Sequence, residues 1–148
     1  MVGKSSTAEV ERTADKLHSA AIHLLRLLRE EDVASGVSAA RLSALSVIVF
    51  AGPVTLGRLA AAEQVRPATI TGIVSGLEAD GLVRRRRDSQ DGRVQWVQAT
   101  AKGRRVLAGA RRRRINAFAS RLRTLSSKER ATLERAAELI EQAVARNP

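Results

Sequence analysis

The chain has 148 residues, of which 44% are hydrophobic and none is cysteine. This length and apolar content suit a folded domain with a real core, and the lack of cysteine excludes disulfides, thiol redox sensing and thiolate metal sites. The 26 Lys and Arg residues outnumber the 15 Asp and Glu residues and give a net charge of +11.

The positive charge is concentrated in one segment. Residues 84–114 hold 12 basic and two acidic residues, whereas the rest of the chain holds 14 and 13. Such a segment predicts a polyanionic partner, with nucleic acid the first candidate and an anionic membrane surface the second. Aromatic residues make up only 2% of the chain, which leaves little for the base stacking that holds RNA and single strands. Double-stranded DNA is therefore the favoured partner.

The sequence gives no sign of a membrane segment or a signal peptide. The longest apolar run, residues 44–51, is far too short to span a bilayer, and the first residues lack the apolar region of a signal peptide. We therefore expect a cytoplasmic protein with no membrane partner.

The first predicted helix carries an apolar seam. Its members recur at alternating spacings of four and three residues and are Val10, Ala14, Leu17, Ala21, Leu24 and Leu28. A helix needs such a seam to pack along another helix. The helix is expected to end at "SGVS" around Gly36.

Three shorter helices are predicted next. Ser38 is a plausible N-cap for a helix that carries Leu42, Leu45, Val49 and Phe50 and stops at Gly52-Pro53. Thr55 can cap a short helix over residues 56–62, and Arg66-Pro67 can start another, because proline suits the first helical position. Two short helices joined by a tight turn form a helix-turn-helix.

The second helix of this pair has two different faces. Its inner face is predicted to be Ile70, Ile73, Val74 and Leu77. Its outer face holds only small residues, namely Ala68, Gly72, Ser75 and Ala79, with Thr69 and Thr71 on the flanks. Glycine inside a helix costs about 1 kcal/mol relative to alanine, so a purely solvated face has no reason to contain Gly72. Small side chains would let this helix lie deep in a major groove, and the alternative is that the face packs on another part of the protein.

Residues 82–100 predict two strands around a loop, with Asp91-Gly92 as the cue for a hairpin turn. A hairpin after a helix-turn-helix makes a winged helix. The arginines at 84–87 and Arg93 would then lie on the wing, where they can reach phosphates and the minor groove. Trp96 is expected to pack the wing onto the body rather than to touch DNA.

The segment "TLGRLAAAEQVRPATITGIVSGLEADGLVRRRRDSQDGRVQWVQATAKGRRVL", residues 55–107, resembles the winged-helix core of the MarR family of bacterial transcriptional regulators. The most specific positions are Asp88, Asp91 and Arg93, followed by Thr100 and Gly103. The resemblance implies a mainly α fold with a small β-wing, in which residues 1–36 form an N-terminal dimerisation helix, 37–100 the DNA-binding core and 101–148 the C-terminal helices that complete dimerisation. It also implies an obligate homodimer with intertwined terminal helices.

That dimer would account for the first-helix seam and for a second apolar face near the C-terminus. Ser126 and Glu129 form a capping box for a last helix. The apolar face of that helix holds Leu133, Ala137, Ile140 and Val144.

The resemblance also implies residue roles. On the helix that faces the groove, the expected DNA contacts are Arg66, Ala68, Thr69, Thr71 and Ser75. On the wing they are Arg84, Arg85, Arg86, Arg87, Gln90 and Arg93, and Asp91 with Arg93 forms the pair that braces the wing. Many family members have an arginine at the wing tip that enters the minor groove. Because Gln90 takes that place here, Arg86 or Arg87 is the expected substitute.

The resemblance further implies a small aromatic or carboxylate effector, in a cleft between the dimerisation helices and the winged helix. Its polar contacts are expected from His18, His23 or Arg26. The two histidines lie about 140° apart around a helix and so do not share a face as metal ligands would.

No metal site, cofactor or set of catalytic residues is therefore expected. The predicted function is a sequence-specific regulator of transcription, a ligand-responsive repressor that binds a palindromic operator as a homodimer. The alternative is a sequence-tolerant architectural DNA binder, although such a protein would favour cationic or wedge residues on the recognition helix.

Overall fold

The computed structural model describes residues 6–33 and 36–145. The elements in chain order are α1 (Thr7–Val33), α2 (Ala39–Ala51), β1 (Val54–Thr55), α3 (Leu56–Ala62), α4 (Pro67–Ala79), β2 (Val83–Arg87), β3 (Gln95–Ala99), α5 (Ala101–Leu122) and α6 (Ser127–Ala145). The chain divides into two compact units, with the boundary between Arg114 and Ile115. The predicted fold class, mainly α with a small β-wing, is confirmed.

Local signals set the ends of the short helices. The Ser38 side chain accepts a hydrogen bond from the Arg41 backbone N–H at the start of α2, and Thr55 accepts one from Arg58 at the start of α3. Helix α4 begins at Pro67, directly after its N-cap Arg66. Helix α2 ends at Gly52, whose φ of +76° is a conformation that glycine adopts without strain. These predicted caps and stops are confirmed.

The core of the first unit lies within the winged helix. Its buried members are Ala44, Leu45, Ile48, Val54, Leu59, Ala60, Ile70, Val74, Leu77, Leu82, Val83, Val97 and Ala99. Ile70, Val74 and Leu77 are the predicted inner face of α4, with Ile73 packed against the same core. Phe50 is instead 76% exposed, because it lies two residues, or about 200°, around α2 from the buried Ile48.

The three strands form an antiparallel sheet in the order β1-β3-β2. Arg85 pairs with Val97 across β2 and β3, and Arg86 pairs with Trp96. Side chains alternate between the two faces of a strand, so Arg85 lies on the same face as the buried Val83, and Arg86 on the other. The strand β1 was not predicted, since two residues are too few to give a periodic signal.

Thr100 and Gly103 join α5 to the start of β2. The Thr100 hydroxyl lies 2.7 Å from the Gly81 carbonyl oxygen and accepts the Gly103 N–H at 3.0 Å. A Cβ atom at Gly103 would overlap the Leu82 carbonyl oxygen. The family-like "TAKG" segment therefore has a structural role, as the point of closest approach between helix and strand.

The second unit contains the predicted capping box. The backbone N–H and hydroxyl of Ser126 donate to Glu129 Oε2 at 2.8 and 2.7 Å, and the Glu129 N–H donates back to the Ser126 hydroxyl. The Ser126 hydrogen bonds lower the pKa of Glu129 from its ordinary value. Helix α6 leaves large apolar side chains exposed, among them Leu133 and Val144.

Candidate nucleic-acid interface

Helix α4 presents the predicted outer face to solvent. Its exposed members are Ala68, Thr69, Thr71, Gly72, Ser75 and Ala79. Arg66, directly before the helix, is also exposed and makes no side-chain capping bond. The outward orientation is confirmed, whereas contact of these residues with DNA stays a prediction.

Three hydroxyl groups on this helix differ in what they bind. The Thr71 hydroxyl donates to the Pro67 carbonyl at 2.8 Å, one helical turn back. The Ser75 hydroxyl accepts a hydrogen bond from Arg85 Nη2 at 2.6 Å. Within the part of the chain that the structure describes, the Thr69 hydroxyl has no such bond and is the one open to a ligand.

Two arginines of β2 are held by neighbouring side chains. Arg84 Nη2 donates to Gln98 Oε1 at 2.9 Å on the adjacent strand. Arg85 reaches α4, where its Nε lies 3.3 Å from Glu78 Oε2 and its Nη2 contacts Ser75. Strand alternation, available from the sequence, would have assigned Arg84 and Arg85 to opposite faces. Sequence reasoning instead grouped all the arginines of the run together.

The other wing arginines remain open. Arg86, Arg87 and Arg93 are exposed, and their guanidinium groups form no hydrogen bond or ion pair at contact distance within residues 6–33 and 36–145. The charge of Arg86 is still close enough to Asp88 to help lower the pKa of that carboxyl. Gln90 is exposed at the wing tip, and among the described residues only its backbone N–H is hydrogen-bonded. The structure therefore brings Arg86 and Arg87 to the tip shoulder, where a substitute for the missing tip arginine was expected.

Asp88 organises the wing loop. Its Oδ1 accepts the backbone N–H groups of Gln90 at 2.8 Å and Asp91 at 3.1 Å. Its Oδ2 accepts the indole N–H of Trp96 at 2.9 Å. The Trp96 bond, followed by the two backbone bonds, lowers the pKa of Asp88 from its ordinary value. Sequence reasoning missed this role, although an aspartate before a loop is a known signal for such side-chain turns.

The Asp91-Gly92 turn differs from the expected hairpin turn. Residues 88–94 separate the strands, and Val94 N–H donates to the Asp91 carbonyl at 2.9 Å. Gly92 is not among the described glycines with positive φ, which the two-residue Asp-Gly hairpin turn would require. Asp91 instead starts the turn, and its Oδ1 accepts the Arg93 backbone N–H at 3.0 Å. The expected Asp91–Arg93 pair therefore meets through the Arg93 backbone rather than its guanidinium.

Helix α4 is also held from α2. Arg41 Nη1 donates to Asp80 Oδ2 at 3.0 Å, just beyond the end of α4. The Arg41 guanidinium crosses Gly76 so closely that a Cβ atom there would overlap it. Gly76, which is not on the outward face, leaves room for this guanidinium, whereas no atom from elsewhere in the described chain lies within 4 Å of a Cβ atom placed at Gly72.

A cleft of about 1210 Å³ lies between α1, α2 and α5. Its charged lining consists of Arg29, Asp32, Glu63, Arg104, Arg111 and Arg114. Arg114 forms a two-point ion pair with Asp32, at 2.6 and 2.7 Å, and Asp32 is 3% exposed.

The residues expected to bind an effector are not part of this lining. His18, His23 and Arg26 are exposed on α1. The α1 residues that line the cleft, among them Leu25, share one helical face. His23 and Arg26 point well away from that face, at about 160° and 100° from Leu25. His18 shares the face but lies seven residues, or roughly 10 Å, further along the helix axis.

The structure also bears on metal binding and on membrane insertion. Within residues 6–33 and 36–145, no three His, Asp or Glu side chains come together as a group that could hold a metal ion. In the same residues, no helix combines the length and apolar character needed to cross a membrane.

Comparison with known proteins identifies the family. The sequence model of the MarR family matches residues 37–94. An HTH-type transcriptional regulator of Mycobacterium leprae (strain TN) is 36% identical over 137 residues, which cover 93% of this chain and 96% of that protein. The chain belongs to the MarR family.

Further relatives agree with this assignment. An HTH-type transcriptional regulator of Mycobacterium tuberculosis is 37% identical, over 93% of this chain and 96% of its own length. The crystal structure of a transcriptional regulator protein from Pseudomonas aeruginosa has a TM-score of 0.83 at 28% identity, covering 97% of this chain and all of that chain. A MarR family protein from Bacillus stearothermophilus shares the fold, with a TM-score of 0.81 at 24% identity over 95% of this chain and 99% of that one. This MarR family chain is a DNA-binding regulator of transcription.

Proposed function

We propose that this regulator is a homodimeric repressor that binds a palindromic operator and releases it when a small aromatic or carboxylate effector binds. The observation that carries the proposal is the exposed face of small residues on α4 beside three open wing arginines. The proposal includes no catalytic role and no cofactor. The proposal also includes a cytoplasmic location, because a bacterial regulator of transcription must reach the chromosome.

The recognition helix would specify the operator and the wing would position it. Arg66 and Thr69 lie at the start of α4, the end that enters the major groove in helix-turn-helix proteins. Ala68 offers a methyl group for contact with thymine. The open side chains of Arg86, Arg87 and Arg93 suit phosphates and the minor groove, which attract cations regardless of sequence.

The first experiment compares the wild-type protein on its own promoter region and on random duplex at moderate salt, by fluorescence anisotropy. A strong preference for the promoter supports the proposal. Equal affinity for both duplexes would favour the architectural alternative instead.

The second experiment distinguishes residues that contact phosphates from residues that contact bases. Changing Arg86, Arg87 or Arg93 to Gln should flatten the plot of log affinity against log salt by roughly 1 per subunit, or about 2 per dimer, and keep the sequence preference. Thr69→Ala should reduce the preference and leave the slope unchanged, because base contacts specify and phosphate contacts position. The same loss of slope from both kinds of variant would contradict this division.

The homodimer is proposed from the apolar side chains that the single subunit leaves exposed. Val10 is 57% and Leu17 45% exposed on the seam of α1, and Val144 is 73% exposed on α6. Leu17→Asp should weaken the dimer in sedimentation, whereas Lys16→Asp, off the seam, should not. A folded monomer of the wild-type protein at micromolar concentration would contradict the proposal.

The effector would bind in the cleft between α1, α2 and α5. Arg29, Arg104 and Arg111 line this cleft and make no side-chain ion pair within the described part of the chain, so they can bind a carboxylate. Benzoate should therefore raise the thermal midpoint more than benzamide does, and Arg111→Gln should reduce that difference. Equal shifts from acid and amide would contradict a carboxylate effector.

A further inference from the structure

Arg85 is fastened between the wing and the recognition helix by several contacts. Its Nη2 donates to Ser75 Oγ at 2.6 Å and to the Thr71 carbonyl oxygen at 3.3 Å. Its Nε lies 3.3 Å from Glu78 Oε2, and its backbone N–H donates to Glu78 Oε1 at 3.2 Å. One residue of β2 therefore contacts α4 at three positions.

The geometry of strand and helix makes this bridge possible. β2 is an edge strand of the sheet, so a backbone N–H that points away from β3 has no acceptor on a neighbouring strand. For the Arg85 backbone N–H, the Glu78 carboxylate supplies the acceptor. The residues Thr71, Ser75 and Glu78 follow a spacing of four and three, which places them along one face of α4. Strand alternation turns the Arg85 side chain towards that face.

We propose that Arg85 is a positioning residue that sets the recognition helix at a fixed angle to the wing, with Ser75 and Glu78 as its acceptors. The inference rests on the proposed sequence-specific function, because it assigns part of the operator preference to this bridge. Ser75 then serves the bridge rather than reading a base. Arg85 likewise serves the bridge rather than a phosphate.

Charge and exposure support this assignment. The Arg85 side chain is only 23% exposed, and the carboxylate of Glu78 beside it offsets its charge. A paired guanidinium releases few counterions when DNA binds, so it adds little to the salt dependence of affinity. Its planar guanidinium places Nη2 between the Ser75 hydroxyl and the Thr71 carbonyl oxygen, while Nε lies beside the Glu78 carboxylate as an ion pair without a hydrogen bond. A lysine ammonium cannot reproduce this spread of contacts in the same geometry.

Two variants test the proposal. Arg85→Lys keeps the positive charge but loses the fork, and Glu78→Ala removes a negative charge that simple electrostatics would expect to oppose DNA. The probes are the duplex that the wild-type protein enriches from a randomised pool and a scrambled duplex of the same composition. Both variants should lose the preference for the enriched duplex by roughly tenfold, the scale of one good base contact, with an unchanged salt slope.

The matched controls come from an exposed ion pair on α6. Arg135 Nη1 lies 2.6 Å from Glu138 Oε2, with both side chains more than half exposed. Arg135→Lys and Glu138→Ala make the same chemical changes there and should keep the full preference. Circular dichroism and thermal midpoints establish that each variant folds. If Arg85→Lys does not fold, Glu78→Ala decides the outcome alone.

The outcomes separate this inference from the proposed function. Retention of the preference by Glu78→Ala, or by Arg85→Lys, would overturn the positioning role. A salt slope flattened by about 1 per subunit in Arg85→Gln would make Arg85 a phosphate contact instead. A wild-type protein that binds both duplexes equally would overturn the proposed function and this inference together, whereas a preference kept by the wild-type protein and by either variant overturns the inference alone.

Discussion

Removal of the Asp32 carboxylate should measurably destabilise the first unit. Asp32 is 3% exposed and accepts two hydrogen bonds from Arg114, at 2.6 and 2.7 Å, which tie α1 to α5. Breaking a buried ion pair by removing one partner costs about 3–5 kcal/mol. Because the Arg114 side chain is 33% exposed and can turn towards water, we expect about 2–3 kcal/mol for Asp32→Ala.

Thermal unfolding at one fixed protein concentration measures this effect. A loss of 1 kcal/mol lowers the midpoint by about 2–4 °C in a chain of this size, so the expected fall is roughly 4–12 °C. Asp15→Ala, at an exposed position of the same helix, is the control and should change the midpoint little. Arg114→Ala should lower the free energy of unfolding more than Asp32→Ala does, because it takes the Arg114 cation away from the Asp32 carboxylate, which is the more deeply buried of the two charged groups.

Removal of both charges should restore part of the lost stability. The double variant Asp32→Leu with Arg114→Met replaces both charges by apolar groups and should be more stable than either single alanine variant. A midpoint for Asp32→Ala equal to that of Asp15→Ala would refute the reasoning. It would mean that solvent replaces the ion pair at no cost.

Three further outcomes follow from the wing and its junction with α5. Gly103→Ala should lower the free energy of unfolding by about 1–3 kcal/mol, since its Cβ atom would overlap the Leu82 carbonyl oxygen. Gly109→Ala on the same helix should raise the free energy of unfolding by about 1 kcal/mol or less. Thermal midpoints that fall in both variants would contradict this. Asp88→Ala should shift the emission of Trp96, the single tryptophan, and weaken DNA binding although a negative charge is lost. Because the pKa of Asp88 is lowered in the folded protein, the ionised carboxylate stabilises the fold above the ordinary aspartate pKa, and this stabilisation is lost as pH falls through the lowered value. An acid titration should therefore change Trp96 emission only at strongly acidic pH.

The sequence predicted the helices of the winged helix well because their ends depend on local chemistry. A serine and a threonine mark the starts of α2 and α3 and accept a backbone N–H three residues further on, and an Arg-Pro pair marks the start of α4. The inner face of α4 followed from a spacing of three and four residues, which needs no knowledge of the partner surface. Phe50 shows the limit of this approach, since an apolar residue beside an apolar face can lie outside the core.

The candidate site was less predictable because its contacts join distant parts of the chain. The Asp88–Trp96 bond crosses the wing loop, and the Arg41 guanidinium lies over Gly76 from a helix 35 residues earlier. No local pattern reports that a guanidinium from another helix lies over this glycine. The charged lining of the cleft likewise depends on the relative phase of α1 and α5, so the histidines proposed from α1 alone lie outside it.

The four arginines of the run make different contacts, and strand alternation sends Arg84 and Arg85 to opposite faces. Arg84 binds the neighbouring strand and Arg85 binds the recognition helix, whereas Arg86 and Arg87 remain exposed. A count of basic residues therefore overstates how many cations can release counterions from DNA. In the proposed function the two held arginines still contribute, because a wing fixed to the recognition helix would bring the open arginines to the DNA backbone in one register. The proposed interface therefore combines two arginines held by neighbouring side chains with two that stay exposed on the same short strand.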